Sequence, residues 1–128
     1  MHAIESDPRS GVIATTYYGE LHADERCAAW DRMVDEVRST GTHRLLVDLS
    51  LARIAPDGLG ATNRLANRLA RDAVLDDCRI AYVERPMQQD PAVQVLATAK
   101  GFEAEHFVSR DEALAWLLDE PAFRSAAA

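Results

Sequence analysis

Residues 44–49 carry an almost unbroken apolar run, Leu45, Leu46, Val47 and Leu49, interrupted only by Asp48. A strand covered on both faces reads this way, because neither side of its pleat meets water. After a turn, the spacing over 58–71 becomes helical. Leu65, Ala66, Leu69 and Ala73 fall on one side, and Arg64, Arg68 and Arg71 on the other. The pattern predicts a central strand feeding a helix with an apolar inner face and a basic outer one.

The rest of the chain alternates in the same manner. Residues 1–10 are polar and include Pro8, so they are expected as a tail that either joins the sheet edge or stays free. Residues 12–18 are rich in β-branched and aromatic side chains and end at Gly19, which predicts a first strand. From 23 to 39, Cys27, Trp30, Val34 and Val37 share one helical face with Met33 beside it, and Asp24, Asp31, Asp35 and Arg38 lie opposite. His22 stands at the N-cap position of this helix, and residues 40–42, with Gly41 at their centre, end it. A third strand is expected over 78–84, closed by Pro86.

Asp90 and Pro91 then form a cap and first turn, and Lys100 and Gly101 form a stop, so the next helix spans 91–100. A fourth strand is expected over 105–108. Ser109 and Glu112 make a capping box for a last helix that puts Leu114, Leu117 and Leu118 on the core before Pro121. Four main strands alternating with four helices imply an α/β domain with a mostly parallel sheet and an N-terminal edge strand. The expected domain is 11–119, with flexible tails at 1–10 and 120–128.

The bulk properties narrow the function. A chain of 128 residues with 48% hydrophobic content suits a single domain with a core of its own. Its net charge of −7 opposes general binding to nucleic acid or to anionic membranes. No apolar run is long enough to span a bilayer, and the first residues lack a signal-peptide core, so a cytoplasmic protein without membrane insertion is expected. Cys27 and Cys78 are isolated and read as reduced core residues.

Three stretches resemble the SpoIIAA-like proteins, the group that includes the STAS domains of bacterial anti-sigma-factor antagonists. Gly19, Glu20 and Leu21 are similar to the Gly-Glu-Leu before the first helix of those domains. Residues 45–49, followed by Gly58, Leu59 and Gly60, are similar to their central strand and the Gly-Leu-Gly that opens the next helix. Residues 90–93, Gly101 and Phe102, and residues 112–117 resemble their third helix, the glycine after it and the closing helix.

The resemblance implies the family fold, with helices gathered mainly on one face of the sheet. It also implies a non-enzymatic, regulatory protein-binding role, and a recognition surface formed by the second helix and the loop before it. The expected partner-binding residues are therefore Asp57, Gly58, Arg64, Arg68 and Arg71, with an unidentified protein as partner. The family's antagonists are switched by phosphorylation of a serine just before the Gly-Leu-Gly. Here that position is Asp57, an anion at a helix N-terminus that reads either as a built-in phosphate substitute or as a plain N-cap. Residues 55–60 contain no hydroxyl, so that switch is absent from this loop.

Other chemistry is poorly supported by the sequence. His2, His22, His43 and His106 have no metal-ligand spacing, and no cofactor is expected. Asp48 lacks the acidic pair and the lysine of a receiver-type phosphoacceptor. There is no nucleophile motif or phosphate loop either, so no catalytic residue is expected. The alternative function is a small-molecule or lipid site in a crevice beyond the carboxyl ends of the strands, near Ser50, Arg85 and Pro86. A homodimer is also expected, with residues 12–18 as an exposed edge carrying a tyrosine on each face.

Overall fold

The computed structural model describes residues 1–7, 10–55, 78–85 and 103–119. They form five strands and two helices: β1 (His2–Asp7), β2 (Val12–Leu21), α1 (Ala23–Thr40), β3 (Arg44–Ile54), β4 (Arg79–Val83), β5 (Glu103–Phe107) and α2 (Arg110–Leu117). The helices expected over 58–73 and 91–100 lie outside the described residues. One sheet of order β1-β2-β3-β4-β5 runs through the domain. β2 to β5 are parallel, and β1 joins β2 antiparallel.

Two expectations need correcting here. The sheet has five strands, because His2–Asp7, taken as part of a tail, forms its outer strand. That addition moves Val12–Leu21 to the interior, bonded by β1 on one side and β3 on the other. Ile4, with His2 and Ser6 at the alternate positions beside it, is too little apolar surface to announce a strand, yet edge pairing needs only backbone groups.

The expected central strand is central. Leu45, Leu46, Val47 and Leu49 are all buried, and alternate side chains enter two cores. On one face Ile13, Tyr17, Leu45, Val47, Ile80 and Tyr82 pack with Trp30, Met33, Val34 and Val37 of α1. On the other, Val12, Ala14, Leu46, Ala81 and Val83 pack with Ala113 and Leu117 of α2. The two described helices therefore cover opposite faces of the sheet.

Helix α1 ends as its glycine predicts: Gly41 is left-handed at φ 71° and its N–H donates to the Val37 carbonyl. At the other end His22 makes no side-chain cap. Ser109 does cap α2, accepting from the Glu112 N–H at 3.3 Å. Leu118, expected in the core, is exposed, because the helix stops at Leu117 and Ala113 takes the inward position instead. Arg79 ties α2 to the sheet. Its guanidinium donates to Glu103 at 3.1 Å and to the Trp116 carbonyl at 2.6 Å, and lies 4.1 Å from the centre of the Trp116 ring.

Two buried groups on β2 give measurable consequences. The Thr15 hydroxyl is fully buried with no hydrogen-bond partner among the described residues. Removing an unsatisfied polar group while keeping its shape recovers its desolvation cost, so Thr15→Val should raise stability by about 1 kcal/mol in urea unfolding. A loss of stability would show that the hydroxyl is satisfied.

Burial pushes the Tyr17 phenol up from its ordinary 10.0, with smaller contributions from neighbouring charges. Its folded state therefore holds the proton more tightly than the unfolded state. The associated stability is complete below 10.0 and is lost as pH rises above it. Between about pH 9 and about pH 11 the wild type should lose more stability than Tyr17→Phe in parallel denaturation series. Equal losses would mean that Tyr17 ionises without opening the core.

Candidate functional site

The expected partner-binding residues Asp57, Gly58, Arg64, Arg68 and Arg71 lie outside the described residues, so their arrangement remains a sequence expectation. The strand leading to them is described. β3 delivers the chain to the carboxyl end of the sheet, where the Ala55 N–H donates to the Leu21 carbonyl at 2.8 Å.

At this end β3 behaves differently from the expectation of a turn after Ser50. It continues to Ile54, and the ribbon it makes with β2 outruns β4 and β5, which have five residues each. The continuation passes through a bulge. Thr16 faces Asp48, but the next partners are Tyr18 and Leu51, so β3 advances three residues where β2 advances two. A bulge frees a backbone N–H from the ladder, and the Asp48 carboxylate takes it, accepting from the Ser50 N–H at 2.9 Å.

The same oxygen accepts from the Ser50 hydroxyl at 2.6 Å, and the other accepts from Arg110 of α2 at 3.2 Å. Arg110 also donates to the Thr16 hydroxyl at 3.3 Å. A nearly buried carboxylate is thereby hydrogen-bonded and charge-paired. These contacts make Asp48 and Ser50 a structural fastening of the bulge, with the Ser50 proton committed to Asp48.

Beyond the bulge lies a cleft of about 450 Å³, lined by Gly19, Glu20, Ser50, Leu51, Ala52, Arg53 and Arg85. Ser50 and Arg85, expected at a crevice, do meet there, and Pro86, expected with them, lies outside the described residues. Gly19, at φ +70°, contributes no side chain, and a Cβ built on it would meet nothing within 4 Å. Glu20 is engaged twice, by His22 at 3.0 Å and by Arg53 at 3.0 Å. Arg85 donates to the Ala52 carbonyl at 2.8 Å. Beside the cleft, register partners Tyr18 and Leu51 are both exposed, whereas Tyr17 is buried. The sequence placed a tyrosine on each face of this strand correctly.

A second constellation was not anticipated. Glu84 is buried and His106 partly so, with the imidazole Nδ1 3.1 Å from the carboxylate Oε1 and the ring stacked on Tyr82 at 5.5 Å. Tyr82 and His106 are register partners across β4 and β5. The only sequence signal was the two-residue alternation that puts Tyr82 and Glu84 on one face. The pair brings a carboxylate and an imidazole together where β4 and β5 end.

Cys78 is buried, Cys27 is partly buried, and both are free thiols. Among the described residues no group of three or more His, Cys, Asp or Glu is placed to hold a metal ion. No helix among them is long and apolar enough to cross a membrane.

No protein-family model matches the chain, and no curated protein matches it. Solved structures do. An anti-sigma factor antagonist from Mycobacterium paratuberculosis superposes with a TM-score of 0.59 and 18% identity, over 93% of this chain and 94% of that one. An uncharacterised protein of the DUF3478 family with a SpoIIAA-like fold, from Shewanella loihica, superposes with a TM-score of 0.59 and 19% identity, over 91% of this chain and 92% of that one. At that identity the likeness concerns architecture: the chain carries the SpoIIAA-like fold.

Proposed function

We propose that this chain is a non-enzymatic, cytoplasmic protein-interaction domain with a regulatory role, acting through the loop at Asp57 and Gly58 and the arginine face that follows. The observation that carries the reading is the fold shared, over nearly the whole chain, with a protein described as an anti-sigma factor antagonist. The presence of Asp57 where the resembled antagonists have serine supports an interaction without a phosphorylation switch in this loop. A small-molecule crevice is the second reading. It is favoured by one observation, the meeting of Ser50 and Arg85 in a single cleft.

The arginines are the sharpest test. Changing Arg64, Arg68 and Arg71 together to Glu should leave the fold nearly intact, since exposed substitutions usually change stability by about 0.5 kcal/mol or less. Affinity capture from the native cytoplasm followed by mass spectrometry should identify a partner held by the wild type and lost by the triple variant. Single changes should slow its association and sharpen its salt dependence. Lower thermal stability with capture unchanged would assign these arginines a structural role and bring the crevice reading forward.

The proposal includes a homodimer. With Val12–Leu21 interior, the strand available for pairing on that side is β1. Light scattering at micromolar concentration should give twice the chain mass of 14.1 kDa. A monomer mass would reject the dimer without touching the interaction surface.

A further inference from the structure

We infer that the cleft beyond the bulge is a subsite for a compact anionic group, a carboxylate or a phosphate, centred on Arg85. The inference rests on the crevice reading and adds the chemical class of its ligand.

Charge bookkeeping within the cleft comes first. Of its seven described lining residues two are arginines and one is a carboxylate. That carboxylate, Glu20, is already shared between Arg53 and His22. Arg53 is thereby neutralised, and Arg85 is left as the uncompensated charge among the described lining residues. Its one hydrogen bond among them is to a neutral acceptor, the Ala52 carbonyl at 2.8 Å. A guanidinium has five N–H donors in a rigid fork, so this single bond leaves donors available. In a protein of net charge −7, surplus positive charge among the described lining residues runs against the average of the molecule.

Positioning comes second. The bond to Ala52 anchors the Arg85 side chain across the end of β3, which lowers the entropy lost when a ligand is gripped. Gly19 adds no side chain to the lining. Ser50 does not compete for the ligand as a donor, because both its N–H and its hydroxyl are given to Asp48. Recognition therefore falls on the guanidinium, whose planar fork matches the two oxygens of a carboxylate or phosphate.

Size comes third. A space of about 450 Å³ lies within the usual range for small-molecule sites. Exposed Leu51 in its lining, with Tyr18 next to it, offers an apolar rest for whatever carries the anion.

The test uses the intact chain labelled with nitrogen-15 and titrated with inorganic phosphate, with acetate and with uncharged acetamide. Phosphate and acetate should shift the Arg85 side-chain N–H resonance and the backbone resonances of Gly19, Leu51 and Arg53, while acetamide should not. Arg85→Gln, with its fold checked by circular dichroism, should weaken anion binding by about tenfold or more, as expected for losing a hydrogen bond to a charged group. Arg85→Lys should retain part of it.

Phosphate binding relative to acetate distinguishes the two anion types, and either one, if dependent on Arg85, supports the subsite. Equal shifts with acetamide, unchanged in Arg85→Gln, would overturn the anionic class and leave the crevice reading standing. No shift at these residues with any probe would overturn both. Anion shifts that survive in Arg85→Gln would place the binding elsewhere and also overturn the inference.

Discussion

A strand covered on both faces has no water to fall back on, and β3 is such a strand over Leu45 to Leu49. Its backbone is satisfied by β2 on one side and β4 on the other until the ladder slips at the bulge. There the Asp48 carboxylate takes the displaced Ser50 N–H, and Arg110 from the start of α2 balances its charge. One side chain thus joins the register of the central strand to the position of the last helix. Without a carboxylate at this point, the bulge would leave the Ser50 N–H without its acceptor.

The bulge also shapes the surface. Before it, the β2–β3 pair is buried between two helices; after it, the ribbon continues past the ends of β4 and β5. Tyr18 and Leu51, paired immediately beyond the slip, emerge on the surface together, and the Glu20–Arg53 ion pair follows two register positions further along. The cleft that holds Arg85 is therefore a product of strand lengths and register. Arg79, gripping Trp116 and Glu103, fixes the other end of α2 against the sheet, so the helix that carries Arg110 is held at both termini.

Because β2 to β5 run parallel, their carboxyl ends lie together, and the candidate features gather there. The cleft, Arg85 and the Glu84–His106 pair all belong to strand ends on that side, and the chain leaves Ala55 toward Asp57 from the same side.

Local pattern was enough for the elements whose two neighbours in space are also apolar. The run over 44–49 announced a strand buried on both faces, the spacing of Trp30, Val34 and Val37 announced the inner face of α1, and Ser109 and Glu112 announced the start of α2. Each signal lies within a few residues and reflects the period of the element itself. The edge strand at His2–Asp7 escaped, because its stability comes from backbone bonds to β2 rather than from an apolar stripe. The four extra residues of β3 escaped for a related reason: Ser50 resembles a turn residue until its hydrogen bonds are known. Arg85 in the cleft, Arg110 on Asp48 and His106 against Glu84 join residues 33, 62 and 22 positions apart. Periodicity carries no information over such distances. The sequence by itself determined which segments would alternate and which faces would be buried; strand order, the slip in register and the meeting of distant charges were decided only when the chain closed on itself.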